Sequence, residues 1–129
     1  MSAATVLIID DDRLIRWSLS TLLERAGYRI CQATTGAEGL AAIQTNMPDV
    51  VLLYITLPDM DGFAVLQTVR QAHPNLPILT MTADATQEKA RQAFRLGALG
   101  HLEKPCESAT LLAAISEALK SNLPPRQVS

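Results

Sequence analysis

Three consecutive carboxylates, Asp10, Asp11 and Asp12, follow directly on a short apolar run from Thr5 to Ile9. Carboxylates held this close repel, and one takes up a proton unless a cation or a hydrogen-bond donor compensates. Oxygen ligands at such a spot suit a hard divalent ion; Mg2+ is usually bound by one or two carboxylates with water and phosphate oxygens. Asp12 has a plainer role open to it, since aspartate is a strong helix N-cap and a helical pattern starts beside it. A phenol (Tyr54), a hydroxyl (Thr82) and an ammonium (Lys104) each stand just after a later apolar segment. If those segments are strands of one sheet, the four positions converge on a single polar site.

The segments have the right character. Thr5–Ile9, Val50–Leu53 and Pro77–Met81 are unbroken apolar runs, the pattern of strands buried on both faces of a parallel sheet. Tyr28–Ala33 and Gly100–Glu103 are weaker strand candidates, placed second and last. Between them the apolar period lengthens to that of helices. Ile15, Leu19, Leu22, Leu23 and Ala26 form one helical face, closed by Gly27. Ala37–Thr45 is a second helix, and a third carries Phe63, Leu66 and Val69 up to the stop at Pro74. The fourth starts near Thr86 with Ala90, Ala93, Phe94 and Leu96; the fifth is N-capped by Ser108, with Leu111, Leu112, Ile115 and Leu119 inward. Five strand–helix alternations predict an α/β fold, a doubly wound five-stranded parallel sheet with helices on both faces. In such sheets the working site lies at the carboxyl ends of the strands, where strand order reverses.

The chain has 129 residues, room for one domain, with a boundary expected after residue 122 and a linker or tail over 123–129 that leads toward an output domain. Aromatics make up only 4%, so the core is aliphatic. A net charge of −2 and a pI near 5.6 argue against a nucleic-acid surface on this domain. Nothing resembles a secretory leader or a membrane span, and Cys31 and Cys106 fit no metal or redox spacing. Both read as reduced thiols in a cytoplasmic protein.

In order and spacing, five segments resemble the receiver domains of bacterial two-component response regulators. They are Leu7–Asp12, Pro48–Leu53, Leu57–Gly62, Thr82–Ala83 and Lys104–Pro105, and the likeness runs from Val6 to about Leu119. It implies a flavodoxin-like (βα)5 fold and a signalling module rather than an enzyme. It further implies that Asp10 and Asp11 bind Mg2+ with the backbone carbonyl of Thr56, and that Thr82 and Lys104 bind a phosphoryl group. Pro105 would follow Lys104 across a cis bond. His101 would be the switch residue that moves with Thr82. The partners implied are a histidine kinase or phosphotransfer protein and a second copy through the face from the fourth helix to the last. Phosphoryl transfer of this kind is mostly positioning and charge neutralisation.

Tyr54 departs from that pattern, because the family places its phosphoacceptor aspartate there. Leu53 to Pro58 aligns without a gap, so no shift supplies an acid. A carboxylate forms a labile acyl phosphate, whereas a phenol, with a pKa of about 10, is ionised in roughly one molecule per thousand at neutral pH. The site also lacks a third carboxylate, which weakens the expected Mg2+ binding. Asp59 and Asp61 have turn and helix-starting roles, and Asp49 precedes its strand at the far end of the sheet. The expectation is a receiver that does not take aspartyl phosphate and acts through conformational or protein contacts. The alternatives are a single-site variant of a phosphorylatable, Mg2+-dependent transcriptional regulator, and a small Mg2+-dependent phosphatase.

Three further residues are read as follows. Trp17 either marks a partner surface or packs against the last helix, and packing is the expectation. His101 could titrate near physiological pH, but a half-exposed switch-position side chain is the expectation. Cys106 is read as packing.

Overall fold

Parallel strands connected by right-handed helical crossovers bury both faces of a sheet, and the apolar runs here do so without interruption. The computed structural model describes residues 3–121. In chain order the elements are β1 (Thr5–Ile9), α1 (Arg13–Arg25), β2 (Arg29–Ala33), α2 (Gly36–Thr45) and β3 (Val50–Tyr54). They continue as α3 (Gly62–Ala72), β4 (Ile78–Thr82), α4 (Gln87–Arg95), β5 (Gly100–Glu103) and α5 (Ser108–Ser121). All pairings are parallel and the strand order is β2-β1-β3-β4-β5. The expected tail over 123–129 lies outside the described residues.

Alternation along each strand sends side chains to two cores. Leu7, Ile9, Val51, Leu53 and Ile78 face Ile43 of α2, Leu66 of α3 and Ala93 of α4. Val6, Ile8, Val50, Leu52 and Leu79 face Leu23 of α1 and Leu111 and Ile115 of α5. The two strands with the weakest sequence signal, β2 and β5, are the sheet edges, each covered less completely than the central three. Their mixed composition follows from that half-exposure.

Local signals set the helix ends. Asp12 caps α1, its side chain accepting from the Leu14 and Ile15 amides, and Asp61 caps α3 by accepting from Phe63. Gly27, at φ +100, takes the left-handed turn after α1 that a side chain resists. Gly62 has no room for a Cβ, which would run into the Ile55 backbone at its Cα. That close approach seats the start of α3 directly against the loop after β3.

Three expectations are corrected. Ser108 is the first residue of α5 rather than its cap, and Leu111 bonds back to the Glu107 carbonyl. Phe94 on α4 is half exposed, because that helix turns only a narrow stripe, centred on Ala93, toward the core. Trp17 does not pack against α5; it is 67% exposed, beside Leu14 one turn earlier at 75%. The strands β3 and β4 each run one residue further, taking Tyr54 and Thr82 into regular pairing.

Candidate functional site

Strand order reverses between β1 and β3, so their carboxyl ends open a crevice, and Asp10 and Tyr54 stand on its two sides. Asp10 is fully buried. One carboxylate oxygen, Oδ1, accepts from the Asp12 amide at 2.9 Å; the other, Oδ2, lies 2.6 Å from Lys104 Nζ. No further hydrogen-bond donor among the described residues reaches Oδ2, so the ammonium is what neutralises it. Lys104 follows β5, anchored by its amide donating to the Thr82 carbonyl at 2.7 Å, and its side chain is only 13% exposed. The same Nζ lies 3.5 Å from the centroid of the Tyr54 ring, over its face. The cation is thus held between a carboxylate and an aromatic face, both of which favour positive charge. The Lys104–Pro105 bond is cis, as the family resemblance implies.

The remaining expected residues are less tightly joined. Thr82 is buried at the end of β4, with its hydroxyl accepting from the Asp84 amide at 3.1 Å. Asp11 and Thr56 are exposed in the loops after β1 and β3, and no hydrogen bond or ion pair ties either side chain to the Asp10–Lys104–Tyr54 group. Thr56 instead forms an isolated backbone bridge with Asp61. His101 sits opposite Thr80 on the neighbouring strand, its Nδ1 2.7 Å from the Thr80 hydroxyl oxygen. Burial, and then the charge of Lys89, push the imidazole pKa below its ordinary value. Cys106 packs against the α1/α5 core, and burial pushes its thiol up.

Asp10 and Asp11 are two carboxylates at one strand end, the number Mg2+ takes together with water, but Asp10 is partly committed elsewhere. Its Oδ2 faces the Lys104 ammonium, so Mg2+ bound through that oxygen would have to displace Lys104. Among the described residues no group of three or more His, Cys, Asp or Glu side chains is arranged to hold a metal.

Sequence reasoning missed three contributors. Arg16 donates through Nη1 to the Asp10 carbonyl at 2.8 Å and through Nε to Gln32 at 3.1 Å, fixing the loop that presents Asp10 and Asp11. Its place one turn beyond the capping Asp12 was the available signal. Asp59 caps α2 from the loop after β3, accepting from the Gly36 and Ala37 amides, and these bonds hold its carboxyl below the usual range. Nothing local in the sequence reveals that pairing, which spans more than twenty residues. Thr80, the partner of His101, follows only from strand register.

The model of the response regulator receiver domain matches residues 6–116. The chain belongs to the response regulator receiver family. As a receiver it is 38% identical, over 92% of its length, to the DNA-binding transcriptional regulator NtrC of Escherichia coli strain K12. It is 34% identical over 88% of its length to the transcriptional regulatory protein ZraR of the same strain. The receiver spans about a quarter of each of those proteins, 25% and 26% respectively. Among solved structures, a CheY-like receiver domain protein of Methanospirillum hungatei JF-1 superposes with a TM-score of 0.89 at 33% identity, covering 94% of this chain and 97% of that one. NtrX of Brucella abortus superposes with a TM-score of 0.87 at 32% identity, covering 93% of this chain and 27% of its own. The sheet order and five helices are those of the CheY-like, flavodoxin-like receiver fold. Receiver domains are in general signalling modules rather than enzymes, and they typically bind Mg2+ at the phosphorylation site. No helix among the described residues is long and apolar enough to cross a membrane.

Proposed function

We propose that this receiver is a two-component signalling module that does not accept aspartyl phosphate and works through conformational and protein–protein contacts. One observation carries the reading: the Lys104 ammonium is engaged by Asp10 on one side and by the Tyr54 ring on the other. By family resemblance Tyr54 occupies the phosphoacceptor position, where a phenol cannot form an acyl phosphate. In the same reading Asp10, Asp11 and the Thr56 carbonyl are the metal ligands of a competent receiver, Thr82 and Lys104 its phosphoryl-binding groups, and His101 its switch residue. With Lys104 committed to Asp10, Mg2+ binding is weak and the pocket is neutralised from within.

The partners proposed are a cognate histidine kinase or phosphotransfer protein and a second copy across α4, β5 and α5. Exposed Phe94 and Leu99 supply apolar surface in that region. The relatives in which the receiver is about a quarter of the length are transcriptional regulators, so a separate output part that binds DNA, in the cytoplasm, fits the same picture. A second reading, a receiver competent but for one position, is favoured by the presence of Asp10, Thr82 and Lys104 together.

Incubation with acetyl phosphate and Mg2+, followed by intact-mass measurement, tests the proposal. The unaltered chain is expected to gain no adduct and to release no phosphate catalytically. An acid-sensitive adduct cleaved by hydroxylamine, the mark of an acyl phosphate, overturns it; steady turnover points to the phosphatase alternative. Tyr54→Asp gaining a labile adduct under the same conditions supports the second reading.

A further inference from the structure

Thr80 and His101 are register partners on β4 and β5, and both side chains lie on the α3/α4 side of the sheet. Thr80 is fully buried, and its hydroxyl reaches the Gly100 carbonyl at 3.2 Å as well as His101 Nδ1 at 2.7 Å. The second ring nitrogen, Nε2, is also buried and has no hydrogen-bond partner among the described residues. The imidazole as a whole is only partly covered. We propose that His101 is a proton-operated latch: the neutral ring is docked against β4 by Thr80, and protonation releases it outward and alters the α4–β5 face.

The chemistry of the ring gives the direction. A neutral imidazole has one N–H and one lone pair, and Thr80 satisfies Nδ1 in either tautomer, as acceptor or as donor. Nε2 is then a neutral group left bare, a modest cost. An imidazolium has two N–H donors. Thr80 accepts one, with its own proton turned to Gly100, but the Nε2–H becomes a buried charged donor with no acceptor, which is far more costly. The surrounding charges reinforce this. The neighbouring strand β4 presents only the hydroxyls of Thr80 and Thr82. From α4 comes Lys89, a like charge, whose counter-ion Asp84 is 3.6 Å away in the preceding loop. Glu88 and Arg91 of α4 pair with each other, and Glu103 on β5 is exposed. Burial and Lys89 both oppose the charged ring where it now sits. Rotation to solvent relieves both at once and vacates the space the ring fills beside Thr80, on the side of the sheet that α4 covers. The ring and its pocket lie apart from position 54, and the latch operates whatever residue stands there.

Imidazole NMR on the unaltered chain, titrated from about pH 8 to about pH 5, provides the test. His101 is expected to titrate below 6.5, its ordinary value, with the backbone amides of Lys89 and Gly100 shifting at the same midpoint. Lys89→Met is expected to raise that midpoint. His101→Phe, which keeps an aromatic ring of similar size, is expected to abolish the amide shifts while leaving the spectrum dispersed. A His101 midpoint at or above 6.5, or Lys89 and Gly100 amides that ignore it, overturns the latch.

Discussion

Lys104 Nζ lies 2.6 Å from Asp10 Oδ2, in a pair where the acid is fully buried and the base nearly so. A pair of this kind repays the desolvation of its members only while both are present. Lys104→Met therefore leaves an uncompensated buried carboxylate, and urea unfolding at neutral pH is expected to show a loss of about 3–5 kcal/mol. Adding Asp10→Asn to that variant is expected to return a large part, since two neutral groups replace a stranded charge. Simple additivity of the two losses would count against the pair.

Tyr54→Asp places a second carboxylate beside Asp10 and removes the ring beneath the Lys104 ammonium. In chelator this variant is expected to be less stable than the parent by on the order of 1–2 kcal/mol, the equivalent of about one pKa unit of like-charge repulsion. Mg2+ is expected to raise its melting temperature while leaving the parent almost unmoved. Melting both chains with and without the metal measures this, and equal responses to Mg2+ refute it.

Gly62 opens α3 with its missing side chain facing the Ile55 backbone. Backbone cannot swing away as a flexible side chain does, so Gly62→Ala is expected to cost about 3 kcal/mol, the upper end for overpacking. Gly27→Ala meets open space but suffers its positive φ, and is expected to cost less. Chemical denaturation of the two variants ranks them.

Asp59 and Glu38 both titrate below their ordinary values of 3.8 and 4.5, the first because of the Gly36 and Ala37 amides, the second because of Thr34. A carboxyl lowered on folding contributes stability above its unfolded value and loses it as pH falls through the folded one. His101, lowered as well, adds a term present above 6.5 and lost as pH falls below it. Thermal melts are expected to decline from mildly acidic pH downward, with a second, steeper fall below about pH 4. Asp59→Ala is expected to shrink the lower fall and leave the upper one; His101→Phe does the reverse.

Trp17 and Leu14 project from one side of α1 into solvent. Trp17→Ala is expected to change stability by no more than about 0.5 kcal/mol, the usual range for a surface site. Iodide is expected to quench the fluorescence of this single tryptophan efficiently. A protected emission would mean that the side chain is covered.

The alternation of apolar runs with helical periods already determined the sheet, the five helices and the end of the sheet that carries the polar groups. The convergence of three of them was legible too: Asp10, Tyr54 and Lys104 each stand two residues beyond Ile8, Leu52 and Leu102, which line one core, so a pleat of period two points them the same way. Caps written in short local spacings, Asp12 and Asp61, were equally readable. What only the tertiary structure decided is how the charges are shared. That Lys104 spends its cation on Asp10 and the Tyr54 ring, that Asp59 caps a helix more than twenty residues earlier, and that His101 leans on Thr80 all depend on separations across strands. Local spacing carries no information about such distances, because they are set by strand order and by the packing of two cores. Trp17 and Phe94 show the converse limit: hydrophobicity marks what could be buried, but the helix faces turned inward by the sheet decide what is.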